Sequence, residues 1–168
     1  MQQKPFNHLY VTAYMGQIVS INISKAKKTE KSPVEKAYIT LMGLEGDAHS
    51  GDWHRQLSIL ALESIEKMKN MGVDVDVGDF AENITTIGIE VWNLEVGDRM
   101  FMGDAEIEIT QKGKNCNPNC EIRNIAGDCV VPREGLFARV VKTGEIKKGD
   151  EVQVLKSCCQ HPSGSAEI

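Results

Sequence analysis

A chain of 168 residues, 41% of them hydrophobic and 26% charged, is long enough for one globular domain with a core of its own. Its formal charge of -5, 24 acidic residues against 19 basic ones, argues against general binding to nucleic acid or anionic membrane surfaces. No run approaches the roughly 20 apolar residues that span a bilayer, and MQQKPFNHLY lacks the apolar centre of a secretory signal, so a cytoplasmic location is expected.

The first element, GQIVSINIS, reads as a strand in which Ile18, Ser20 and Asn22 alternate with Val19, Ile21 and Ile23. KAKKTEKSP is a charged run without an apolar face, hence a solvated loop. A short strand from Tyr38 to Met42 then runs into GLEGDAHSGDWHRQ, a segment too polar for core. SILALESIEKMKNMG predicts one amphipathic helix over residues 58–71. Ile59, Leu62, Ile65 and Met68 recur at helical spacing, Leu60 widens the stripe, and Gly72 caps the end. VDVDVGDF reads as a loop and ENITTIGI as an extended segment.

LEVGDRMFMG and IKKGDEVQVL each set a Gly-Asp turn before an alternating strand. Between them DAEIEITQ alternates Ala105, Ile107 and Ile109 with acidic residues, as a half-exposed strand does. REGLFARVVKTGE predicts a short helix or tight turn ended by Gly144. Short strands with turn signals and one solid helix predict a mainly β fold, a β-barrel with inserted helices. The barrel is expected over residues 16–155, between an N-terminal segment, 1–15, and a flexible tail, 156–168.

Five cysteines cannot all pair within one chain, and a reducing compartment disfavours stable disulfides. Cys158 and Cys159 fall in the tail SCCQHPSGSAEI and read as incidental. Cys116 and Cys120, in QKGKNCNPNC, stand in a polar loop directly after a strand. Three readings fit them: inert half-buried thiols, metal ligands, or reactive thiols. An ordinary thiol, with a pKa of about 8.5, is only about 3% thiolate at pH 7, and Lys112, Lys114 or Arg123 could raise that fraction. Structural zinc prefers two tight ligand pairs, and neither Cys129 nor the distant His49 and His54 supplies a second one. Two further clusters offer polar-ligand chemistry. One gathers Asp47, His49, Asp52, His54 and Arg55. In the other, Arg133 and Arg139 could clamp an anion such as phosphate.

The stretches GLEGDAHSGDWHRQLSIL, FAENITTIGIEVWNLEVGDRMFMGDAEIEIT and GKNCNPNCEI…GDCVVPREGLFARVVKTGEIKKGDEV together resemble a MOSC domain, the module also found at the C-terminus of molybdenum cofactor sulfurases. The resemblance runs from about Gly16 to Leu155, in order and spacing, and is to the short, stand-alone bacterial form. It implies a β-barrel with a functional cysteine after the GD…GxAxIxIT strand. That cysteine is a proposed persulfide sulfur carrier or, in amidoxime-reducing relatives, the protein ligand of molybdenum. Thiolate is a soft donor suited to either role. Cys120, followed by Glu121 and Ile122, matches its register slightly better, with Cys116 the alternative. Asp47, His49, Arg55, Asn83, Lys114 and Arg133 become the implied cofactor-binding residues. Two departures stand out: Gly113 and Asn115 lie near the Arg and Pro that many members carry before the cysteine, and Ala81 replaces a glycine before Glu82–Asn83.

The resemblance thus implies a protein of molybdenum cofactor metabolism, acting as a sulfur transferase or as part of a molybdenum-dependent reductase. Molybdenum cofactor (molybdopterin) is the implied ligand, and the cofactor or a molybdoenzyme the sulfur acceptor. Pyridoxal phosphate is expected on a partner, a cysteine desulfurase-type donor, since no lysine here stands out as a Schiff-base residue. Two other classes remain: a non-catalytic module binding a pterin or another anion, and a zinc-stabilised structural protein.

Overall fold

The computed structural model describes residues 11–157, so Cys158, Cys159 and most of the two expected terminal segments lie outside the described residues. In chain order the elements are β1 (Val11–Ile23), β2 (Ser32–Val34), β3 (Lys36–Thr40), β4 (Gly43–Leu44), β5 (Leu57–Ala61) and α1 (Leu62–Asn70). Then come β6 (Ile84–Ile87), a 3-10 turn (Val91–Asn93), β7 (Arg99–Met102), β8 (Ala105–Lys112), α2 (Glu121–Ala126) and α3 (Val131–Glu134). The last three are β9 (Leu136–Lys142), β10 (Gly144–Lys147) and β11 (Glu151–Lys156).

Seven strands close into a barrel, β1-β11-β7-β8-β9-β5-β6 and back to β1. β1 is long enough to serve two neighbours in turn: Val11 to Gln17 pair with β11, and Gln17 to Ile21 pair with β6. The neighbours are antiparallel except β5 and β6, which run parallel because α1 and the following loop carry the chain back over the outside. β3, β4 and β10 form a separate small sheet. Inward residues such as Ile18, Ile59, Ile84, Ile107, Leu136 and Val154 fill the barrel. Outside it, Leu60, Ile65, Met68 and Val130 make a second cluster that holds α1 on the barrel wall. No described helix is long and apolar enough to cross a membrane.

The predicted 58–71 helix is two elements. Leu57–Ala61 is a barrel strand, and the helix starts at Leu62. Ile59 therefore points into the barrel while Leu60 points out toward α1, an alternation of period two. A short apolar run cannot be assigned to strand or helix from periodicity, and this one is continuous with the true helical stripe. Gly72, left-handed at φ +85°, does follow the helix end. Leu62 is half-buried, while Ile65 is fully buried. Ile65→Ala should therefore cost about 2–5 kcal/mol in chemical denaturation, and Leu62→Ala clearly less.

REGLFARVVKTGE is likewise not helical past Glu134. Leu136–Lys142 is strand β9, pairing with both β5 and β8, and Gly144 opens β10 rather than ending a helix. Leu136 and Ala138 face the barrel interior and Arg139 faces solvent, so the β-branched Val140–Val141 pair continues a strand. The charged loop also departs from its expected solvation at one position. Lys25 to Glu30 are exposed, but Lys31 is buried.

Candidate functional site

A cavity of about 300 Å³ opens on the outside of the barrel, floored by β5 and the start of β9. Its walls come from the segment around His49–Arg55, the loop Asp79–Asn83, the loop Lys114–Asn117 and the ends of α2 and α3. His49, Arg55, Asn83, Lys114, Cys116 and Cys120 all line it, although they are scattered through the sequence. Asp47 stands behind the wall, and Arg133 lies away from the cavity. Asp128 holds the Arg133 guanidinium in a two-point ion pair at 2.6 and 3.0 Å on the surface. Arg139 pairs with Glu108 at 3.0 Å, and Lys112 with Glu95 at 2.8 Å, so neither cation faces the thiols.

Asp47 organises one wall. Its Oδ1 takes the Lys31 ammonium at 2.8 Å and the Ser24 amide at 3.0 Å, and its Oδ2 takes the His49 amide at 3.1 Å. Burial alone would raise this carboxyl, but the Lys31 cation and the amide donors outweigh it and hold Asp47 below its ordinary value. Burial and the same Lys31 charge push His49 below its ordinary value, so its imidazole is neutral near pH 7. His49 Nδ1 is buried and makes no hydrogen bond.

Arg55 supplies a prepared cation. Its guanidinium carbon lies 4.8 Å from the Trp53 ring and 5.5 Å from the Phe137 ring, so two aromatic faces hold it. Among the described residues no carboxylate pairs with it, and its buried Nε has no hydrogen-bond acceptor. Trp53 is itself tied back, its indole N–H donating to the His49 carbonyl at 3.1 Å.

The opposite wall is acidic and constrained. Glu82 is 2% exposed. Its Oε1 accepts from the Gly78 amide at 2.6 Å and the Thr85 hydroxyl at 2.9 Å, while its Oε2 has no partner. Burial pushes this carboxyl above its ordinary value, and those donors offset only part of the effect. Asn83 spends its side chain on structure. Its Oδ1 accepts from the Ser58 amide and hydroxyl at 3.1 Å each, and its Nδ2 donates to the Asn22 carbonyl at 3.3 Å. Ala81 adopts φ +61°, a left-handed conformation that a glycine would take without strain and that costs another residue roughly 1–2 kcal/mol.

Three cysteines, not two, line the cavity: Cys116, Cys120 and Cys129. Burial, a hydrogen bond with Cys129 and the nearby Cys120 push the Cys116 thiol up to about 11. Cys116 is therefore a protonated, weakly nucleophilic thiol near pH 7. The start of the loop packs tightly on α3 at Gly113. An added Cβ there would stand 2.0 Å from the Pro132 carbonyl oxygen, and the Gly113 amide bonds the Gly135 carbonyl at 2.7 Å. In the sequence Cys129 offers only a possible zinc ligand, and Lys31 and Glu82 carry no visible role. Their signals were weak: a cysteine beside Val130 and Val131 looks like core, and a lysine in a charged run looks solvated. Among the described residues, no group of three or more His, Cys, Asp or Glu side chains is arranged to hold a metal ion.

The MOSC domain family model matches residues 46–153. Among solved structures, the YUAD protein from Bacillus subtilis superposes with a TM-score of 0.76 at 17% identity, covering 88% of this chain and 99% of that one. YiiM from Geobacillus stearothermophilus gives 0.63 at 22% identity, covering 84% of this chain and 75% of that one. YiiM from Escherichia coli gives 0.62 at 18% identity, with 84% and 70% covered. At these identities the likeness speaks for the shared fold. No curated protein matches the chain in sequence. The family model covers well over half of the 168 residues, and the chain belongs to the MOSC domain family.

Proposed function

We propose that this chain serves molybdenum cofactor metabolism by carrying sulfur as a persulfide on Cys120, beside a site for an anionic pterin cofactor. The observation that supports it most is that two cysteines and a ring-stacked Arg55, without a carboxylate partner among the described residues, line one cavity. Cys116 and Cys120 are both half-buried, but burial and its neighbours hold Cys116 protonated. Cys116 is thus a poor sulfur acceptor, since the thiolate is the reacting form, and the carrier role is given to Cys120.

The donor set fits molybdenum cofactor. Arg55 and Lys114 would hold its phosphate, the unpartnered Glu82 Oε2 would meet the polar edge of a pterin, and Cys120 would be the soft ligand near the metal. When bound, the metal would supply the sulfur-accepting, redox-active centre. A partner cysteine desulfurase using pyridoxal phosphate is the proposed donor, and the cofactor or a molybdoenzyme the acceptor.

Incubating the protein with a cysteine desulfurase and cysteine should add about 32 Da, one sulfur atom, in a form that reductant removes. Cys120→Ser should abolish that adduct and Cys116→Ser should leave most of it. Loss in Cys116→Ser alone would move the carrier role to Cys116. An unchanged mass in the parent chain would end the carrier reading.

A further inference from the structure

We propose that Gln111 is a positioning residue, which holds the Arg55 wall and the cysteine loop at one fixed spacing across the cavity. The proposal rests on the reading above, in which Arg55 meets the ligand's phosphate and Cys120 carries the sulfur.

Gln111 stands near the end of β8. Ala105, Ile107 and Ile109 point into the barrel, and strict alternation would send Gln111 after them. Between Ile109 and Gln111, however, two residues of β8 stand against one of β9. Such a bulge re-aims the side chain that follows it. The Gln111 side chain is half-buried and bridges two loops instead of joining the core.

Its Nε2 donates to the Gly113 carbonyl at 2.8 Å, and its Oε1 stands 2.9 Å from His54 Nε2. A carbonyl can only accept, so the amide nitrogen faces Gly113 and the amide oxygen faces His54. His54 therefore carries a proton on Nε2 and donates it to Gln111. The Thr110 hydroxyl donates to the His54 carbonyl, so β8 grips this residue by both ring and backbone.

Both ends of the bridge bear on the cavity. His54 lies between Trp53 and Arg55, which line it, and its ring meets the Trp53 ring edge-on with centroids 6.1 Å apart. Trp53 is in turn one of the two rings that hold the Arg55 guanidinium. Gly113 is the root of the loop that carries Cys116 and Cys120, and its amide is tied to the Gly135 carbonyl at 2.7 Å. With the Gln111 bond, both backbone polar groups of Gly113 are engaged. Gln111 is not among the lining residues, so it acts through His54 and Gly113 rather than on a ligand. Contact groups on separate loops need such a supporting layer to stay at a fixed spacing.

Two readouts on the full chain separate the two arms. One is the dissociation constant of inorganic phosphate, by titration calorimetry. The other is the rate at which iodoacetamide labels Cys120 at pH 8, by peptide mass spectrometry. Gln111→Leu removes both arms. It should weaken phosphate binding and accelerate labelling, each by roughly three- to tenfold, the worth of one hydrogen bond. His54→Phe keeps a ring beside Trp53 but removes the Nε2–H, so it should weaken phosphate binding and leave labelling within about twofold. Gln111→Glu keeps the acceptor for His54 and turns a carboxylate on the Gly113 carbonyl, so its labelling rate should match that of Gln111→Leu. A general loosening of the fold would instead raise labelling in all three variants together. Parental values in Gln111→Leu, or labelling raised equally by His54→Phe, overturn the proposal. So does a parent chain that binds no phosphate. Loading the parent with sodium tetrasulfide tests the carrier reading by itself. No sulfur on Cys120, alongside the expected split between the variants, overturns that reading and leaves the role of Gln111 standing.

Discussion

Asp47→Ala should unfold at a much lower denaturant concentration than the parent chain, a loss of about 3–5 kcal/mol. The carboxylate is the partner of Lys31, whose side chain is only 2% exposed, so removing it leaves a buried ammonium without a counter-charge. The Ser24 and His49 amides lose their acceptor at the same stroke. Lys31→Met together with Asp47→Ala should be less damaging than the two single losses added, because no charge is then stranded. Acid should reproduce part of the effect in the parent chain. The folded-state pKa of Asp47 lies below its ordinary 3.8, so the folded state prefers the ionised form. That contribution is complete above the ordinary value and is lost as the pH falls below it toward the folded pKa. A pH series of denaturation midpoints checks this: the difference between parent and Asp47→Ala should shrink on the acid side.

The second large effect is expected at Gly113. A methyl group there would lie 2.0 Å from the Pro132 carbonyl oxygen and 2.8 Å from its carbon, and the residue sits at φ +69°. The left-handed backbone costs alanine roughly 1–2 kcal/mol, and forcing the loop off α3 costs about 1–3 more. The chemical signature is more telling than the stability loss. Once the loop lifts away, Cys116 leaves Cys129 and its pKa relaxes from about 11 toward its ordinary 9.0. Alkylation of Cys116 by iodoacetamide at pH 8 should then accelerate by about tenfold, the gain in thiolate being partly offset by lower intrinsic nucleophilicity. An unchanged rate would mean that Gly113 does not hold the two thiols together.

The barrel was readable from sequence where the signal was local. Gly97–Asp98 and Gly149–Asp150 each turn the chain into a strand, and the alternation of Ala105, Ile107 and Ile109 survives intact in β8. Leu57–Ala61 looks helical in sequence because its apolar run continues the stripe of α1, and only the pairing with β6 and β9 separates them. The site divides in the same way. Residue types could be nominated, and six of the nominated side chains line one cavity, but their partners could not be named. Arg133 looked like an anion clamp until Asp128, five residues earlier, took it. Cys129 gained its interest from a neighbour thirteen positions away, and Lys31 from one sixteen away. Such pairings depend on how loops cross over the barrel wall, which no local pattern encodes.

Closure of β1 on β11 has a consequence for how copies of this chain behave at high concentration. A closed ring offers no row of free N–H and C=O groups, so template-driven stacking of strands has few places to begin. The large sheet ends in β2, three residues long, whose central Pro33 has no N–H to give. In the small sheet β4 has two residues, and the outer side of β10 is already met by the Asp104 amide on the Glu145 carbonyl at 3.1 Å. Among the described residues, strand addition therefore finds no long, bare border. Any self-assembly of this fold would have to be built from side chains rather than from backbone.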